Sequence, residues 1–121
     1  MIIFAKILAL ANSMENKSAV QLLAALAQDS RLTIFRLLVQ QGETGLPVSK
    51  ISEALGGMAG ATLSFHLKEL SHAGLIEAQQ QGRFIFYKAN LSQMKILMDF
   101  LTDNCCQGQP CAVTANKFCG L

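Results

Sequence analysis

A mainly α-helical fold carrying one β-hairpin is what this sequence predicts, and three stretches of the chain predict it. Leu63, Leu67 and Leu70 stand at i, i+4 and i+7, a single apolar stripe closed by Gly74, which is the pattern of one amphipathic helix. Immediately afterwards, 75–80 and 83–89 are β-prone runs around Gln81-Gly82, and the second holds Phe84, Ile85, Phe86 and Tyr87 in succession. Such a pair around a glycine reads as a hairpin. Finally, 18–28 and the stretch after Asn90 are apolar around most of a helical circumference. Helices of that kind belong at an interface.

The 121 residues suit one domain, yet 51% are hydrophobic and 15% charged. A small chain so apolar is expected to hide surface in a partner, most simply a second copy of itself. Its formal net charge of +2 permits nucleic-acid binding without arguing for it. No repeat or low-complexity tract is visible. The apolar residues 1–13 are too short for a membrane span and lack the basic start of a secretion signal. Met14 is the expected true start; otherwise 1–13 add an apolar turn against a dimer. The expected divisions are 1–17 as an extension, 18–104 as the binding and dimerisation domain, and 105–121 as a cysteine-containing tail. A cytoplasmic protein with no membrane partner is expected.

In chain order, Ala19, Val20, Leu22, Leu23 and Leu26 mark the first helix. Asp29 or Ser30 is expected to cap the second, with Leu32, Phe35, Leu38 and Val39 inward. Arg31 and Arg36 project from it, either toward phosphates or simply as solubilising charges. A turn at 41–45 and an extended run at 46–48 lead to a brief helix, 50–55, capped by Ser49, with Ile51, Ala54 and Leu55 inward. The glycine-rich 56–60 then turns into the helix bearing Leu63, Leu67 and Leu70. That helix turns Ala61, Phe65, Lys68 and His72 outward, flanked by Thr62, Ser64 and His66. Hydroxyls, imidazole and ammonium on an outer face suit a DNA major groove, although an ordinary surface helix looks similar in isolation. Two helices joined by a glycine-containing turn form a helix-turn-helix. A hairpin directly behind it is a wing whose tip, Arg83, is placed for a minor groove or for solvent. The fold class is therefore a homodimeric winged helix-turn-helix. Asn90 with Gln93 resembles a capping box for the last helix. There Met94, Leu97, Met98 and Leu101, beside Ile96 and Phe100, are expected to dimerise with the first helix before the helix runs out at Asn104.

The order of these elements and the segment Ser64-Phe-His-Leu-Lys-Glu-Leu-Ser-His-Ala-Gly-Leu-Ile76 resemble the ArsR/SmtB family of metalloregulatory repressors, with the Gly82-Arg83 turn and Tyr87 matching its wing. The resemblance spans roughly 18–106. It implies a homodimer on double-stranded operator DNA that an inducer releases. The expected DNA-contacting set is Lys50, Thr62, Ser64, His66, Lys68 and Arg83, with His66 alternatively a partly buried scaffold residue. Departures from the family pattern narrow the inducer. Pro47-Val48-Ser49 stands where many arsenic-responsive members carry Cys-Val-Cys, and the last helix has Asp99 and Asp103 but no His. The N-terminal region holds no Cys. The remaining similarity is to a subgroup of arsenite-responsive repressors with thiols at the end of the last helix.

All four cysteines, Cys105, Cys106, Cys111 and Cys119, fall in the tail. A secreted disulfide scaffold would spread its bridges along the chain, and the spacing is not the Cys-x2-Cys of a structural zinc site. Thiol-only ligation selects soft centres. As(III) or Sb(III) held by Cys105, Cys106 and Cys111 is the expected inducer complex, with Cys119 spare and no organic cofactor. Unligated thiols in a tail are the plain alternative. A methylated arsenical would need only two thiolates, and a disulfide from Cys105 or Cys106 to Cys111 or Cys119 would make the switch oxidative. A small thiol enzyme would need a thiolate poised by a helix N-terminus or a cation. Cys105 lies instead beyond a helix C-terminus near Asp103, so no enzyme is expected.

Overall fold

The computed structural model describes residues 14–103, which form five α-helices and a small sheet. Helix α1 (Asn16–Leu26) is followed by α2 (Asp29–Gln41), a 3-10 turn (Gly42–Thr44), β1 (Leu46–Pro47) and α3 (Val48–Ala54). Then come α4 (Gly60–His72), the hairpin β2 (Ile76–Gln81) and β3 (Phe84–Ala89), and α5 (Leu91–Leu101). The strands are antiparallel in the order β1-β3-β2. The extended run before α3 is thus a true strand, with Leu46 opposite Tyr87 and Pro47 opposite Phe86. Gly45 makes that approach workable. Its φ is +69° and a Cβ there would lie 2.6 Å from the Tyr87 carbonyl oxygen, so any side chain would force the strands apart.

One core unites these elements. Leu22 of α1, Ile34 and Leu38 of α2, Ile51 of α3, Leu63 and Leu70 of α4, Leu75 and Leu97 are fully buried. The α4 stripe is as the leucine spacing requires, with Leu67 also buried. Its end is a Schellman closure: Leu75 N–H donates to the Leu70 carbonyl and Gly74 N–H to that of Ser71, both at 3.0 Å. Gly74 takes φ +82° to allow it, and Leu70 and Leu75 supply the buried apolar pair of that motif. Asn90 ties the next helix to the same point. Its Oδ1 accepts from Gln93 N–H at 3.1 Å, while its Nδ2 donates to the Gly74 carbonyl at 3.1 Å.

Several expectations are corrected by packing. The α2 cap is Gln28, whose Oε1 accepts from Arg31 N–H at 2.9 Å, rather than Asp29 or Ser30. Helix α2 buries Ile34, Phe35 and Leu38 and leaves Leu32 and Val39 exposed. Both stripes have helical spacing, and contact with β3 and α4 selects between them. Arg31 is half-buried, its Nε donating to the Ala25 carbonyl at 2.7 Å, so it clasps α1 to α2 instead of projecting. Helix α3 starts at Val48 with Pro47 as its cap. Ser49 therefore lies inside the first turn, and Ala54 is exposed. The wing turn is Gly82-Arg83, since Gln81 pairs with Phe84. A two-residue hairpin loop needs positive φ at its first position, and Gly82 has φ +64°.

The terminal helices divide their apolar residues. Ala19 and Leu22 of α1 and Leu97 of α5 join the core of the single chain, as does Met14 just before α1, whereas Val20, Leu23, Leu91 and Leu101 are exposed. Leu97 is thus a core residue of one protomer, not part of an exposed dimerisation face. No helix among the described residues is long and apolar enough to cross a membrane.

Candidate nucleic-acid interface

The turn between α3 and α4 is built by Ser52. Its Oγ donates to the Met58 carbonyl at 3.1 Å, and its own carbonyl accepts from Gly57 N–H at 2.8 Å. These bonds seat the start of α4 relative to α3. Ala59 caps α4 without a side-chain hydrogen bond, and no acidic residue occupies the first turn. The leading amides of α4 are therefore open to an anionic group such as a phosphate.

With the leucine stripe inward, α4 exposes Ala61, Thr62, Ser64, Phe65, Lys68 and His72. Lys68 makes no ion pair or side-chain hydrogen bond among the described residues, and the same holds for Arg83 in the exposed wing turn. Lys68 thus lies on the outward side of the helix, with Thr62 and Ser64 on its opposite flanks. Lys50 stands on α3, exposed and 3.5 Å from Glu53, a solvent-screened contact that costs little to open. Lys88, half-exposed on β3, is held by Glu43 at 3.2 Å and Glu77 at 4.0 Å.

His66 is placed differently. It is only 8% exposed, its Nδ1 has no partner, and its ring meets that of Phe65 edge-on with centroids 5.8 Å apart. Residue 66 falls beside Leu63, Leu67 and Leu70 on the helical wheel, so packing draws the imidazole off the outward side. Of the two readings of His66, the scaffold one matches this burial. Phe65 is the converse case. At 54% exposed it stands among the outward side chains, although the expected contact set omitted it because residues were chosen there for polarity. Ser52 was missed as well; a serine six residues before the Met58 carbonyl has no local signature.

Cys105, Cys106, Cys111 and Cys119 lie outside the described residues. Among the described residues no three His, Cys, Asp or Glu are grouped to hold a metal ion. Asp99 is engaged by Lys95 at 2.9 Å on the surface of α5.

Two helices across a braced turn, the second with its apolar stripe inward and a polar side outward, followed at once by a hairpin, define a winged helix-turn-helix DNA-binding domain. Comparisons with known proteins agree. A helix-turn-helix domain family model matches residues 26–79. A protein of Bacillus subtilis (strain 168), described as the uncharacterized HTH-type transcriptional regulator YbzH, is 32% identical over 94 residues, spanning 68% of this chain and 93% of the relative. Among solved structures, HlyU from Vibrio cholerae N16961 is 30% identical with a TM-score of 0.60, covering 78% of this chain and all 100% of HlyU. Reduced HlyU from the same organism is 29% identical with a TM-score of 0.57 over 75% of this chain and 92% of that one. The homodimeric winged helix-turn-helix DNA-binding domain of Mb0332 from Mycobacterium bovis, a candidate ArsR-family regulator, is 28% identical, with a TM-score of 0.57 over 77% of this chain and 85% of that one. The chain belongs to the HTH-type transcriptional regulators, of the ArsR/HlyU winged-helix type.

Proposed function

We infer that this regulator is a metalloid-responsive repressor that binds operator DNA as a homodimer. In this reading α4 enters the major groove with Thr62 and Ser64 toward base edges and Lys68 toward phosphate, Lys50 adds a phosphate contact, and Arg83 reaches from the wing. The observation that carries the DNA half is the outward side of α4, polar and unpaired at Lys68 while every stripe leucine is buried. The dimer is supported by the apolar residues left exposed on α1 and α5 and by the homodimeric relative.

The inducer half rests on donor chemistry. Helix α5 ends at Leu101 with Thr102 as its cap, and Cys105 and Cys106 follow within one turn's length of sequence, with Cys111 beyond. Three thiols without imidazole or carboxylate suit As(III) or Sb(III), which bind as tris-thiolates. Ligation there acts on the end of the helix that carries Leu101 and Phe100, so it bears on the proposed dimer surface. Typical coupling between sites corresponds to a roughly 5- to 150-fold change in affinity. Thiol oxidation to a disulfide, with peroxide as the electron acceptor, is the second reading, supported by the similarity to reduced HlyU.

Fluorescence anisotropy on a duplex selected by the protein from a random pool tests this. Arsenite under strong reductant should release the wild type by that factor, and Cys105→Ser with Cys106→Ser should bind DNA normally yet ignore arsenite. Release of the double variant by arsenite would remove the thiol site. Release of wild type by peroxide alone would select the oxidative switch.

A further inference from the structure

Helix α4 turns two apolar side chains outward one turn apart, Ala61 and Phe65, set among Thr62, Ser64 and Lys68. The exposed apolar residues assigned to dimerisation, Val20, Leu23, Leu91 and Leu101, lie on other helices. Phe65 falls in the first half of the 13-residue α4, the part of a second helix-turn-helix helix that meets base edges. A phenyl ring offers no hydrogen bond. Set against N7, O6 or an exocyclic amine, it would strip water from a polar edge and return nothing. Thymine is the base whose major-groove edge carries a methyl group, and Phe and Ala side chains are matched to it.

We propose that Phe65, with Ala61 one turn before it, selects a thymine methyl in each operator half-site. Phe65 is then a specificity-determining residue, and Lys68 beside it is a positioning contact to phosphate. This rests on the docking of α4 described above. It adds what the polar residues alone do not supply, a preference for thymine over cytosine at one step.

The test replaces each thymine of the selected duplex in turn by deoxyuridine, which removes only the C5 methyl. Affinity is read by anisotropy over a range of salt. For the wild type, one position per half-site should weaken binding about 4-fold, and both together about 15-fold, from the value of one buried methyl. Phe65→Ala should bind more weakly and lose that sensitivity while keeping the wild-type salt slope. Lys68→Ala should keep the sensitivity and flatten the slope by about one unit per monomer. A deoxyuridine scan flat at every position, a full methyl effect persisting in Phe65→Ala, or a changed oligomeric state of Phe65→Ala in ultracentrifugation would each overturn the proposal. The wild-type scan needs no variant, so it decides even if Phe65→Ala misfolds. If no duplex is enriched by the protein at all, the docking of α4 falls; specific binding without methyl sensitivity removes only the role of Phe65.

Discussion

Helices α4 and α5 are both amphipathic and similar in length, yet they finish their packing in different places. Leu63, Leu67 and Leu70 of α4 are all buried within one chain, and the outward side is left polar apart from Ala61 and Phe65. In α5 only Leu97 is buried; Met94, Ile96, Met98 and Phe100 are half-covered, and Leu91 and Leu101 are exposed at 45% and 56%. Helix α1 repeats the pattern of α5, with Leu22 inside and Val20 and Leu23 outside. The contrast separates a helix whose apolar stripe is fully covered within one chain from two helices that leave apolar side chains exposed, the surface on which the proposed dimer rests. Burial by residue, not total hydrophobicity, makes that distinction.

The largest effect is expected where the incomplete side is charged. Leu23→Glu with Leu101→Glu should preserve the circular dichroism of the folded chain but raise the dimer dissociation constant by more than about a thousand-fold. Each carboxylate forced into an apolar contact costs several kcal/mol, and twofold symmetry counts every substitution twice. Sedimentation equilibrium reads the outcome. Unchanged dimerisation would mean that α5 is as complete as α4 and would end the comparison.

Next in size is the cost of opening the α4 stripe. Leu70→Ala should destabilise the chain by about 2–5 kcal/mol in urea unfolding, the range for a fully buried leucine. Leu101→Ala, measured in a monomeric background, should change stability by less than about 0.5 kcal/mol. Similar losses at the two positions would show that the exposed end of α5 is packed within the monomer after all.

A smaller loss than that of Leu70→Ala is expected at the joint between the two helices. Asn90→Ala should cost about 1–2 kcal/mol, combining the loss of a helix cap with that of the hydrogen bond to the Gly74 carbonyl. Asn90→Asp keeps an acceptor for Gln93 N–H but no donor for Gly74, so it should recover the cap portion only. Stability of Asn90→Asp equal to that of the wild type would mean that the tie between the end of α4 and the start of α5 contributes nothing.

Local chemistry by itself determined much of this molecule. The three-leucine spacing of α4, the stop at Gly74, the Asn90 cap and the aromatic and β-branched run of β3 each depend on residues within a turn or two of one another. They are legible in the chain for that reason, and together they specify the helix-turn-helix and its wing. The polar part of the candidate interface, Thr62, Ser64 and Lys68, follows from the same stripe by subtraction. Other features rest on choices between local solutions of equal quality. Helix α2 could bury either Leu32 and Val39 or Ile34, and contact with β3 and α4 decided for Ile34. His66 lies next to the stripe, and only the packed helix shows that its ring is drawn inward while Phe65 remains in solvent. Leu97 and Leu101 are alike in sequence, but the path of α5 against α1 buries one and exposes the other. Arg31 turned from a surface charge into a clasp because the end of α1 presents the Ala25 carbonyl 2.7 Å away. Periodicity states that a helix has an apolar side; which residues fill the core is decided by the neighbours that arrive from elsewhere in the chain, because burial is a property of the assembled surfaces.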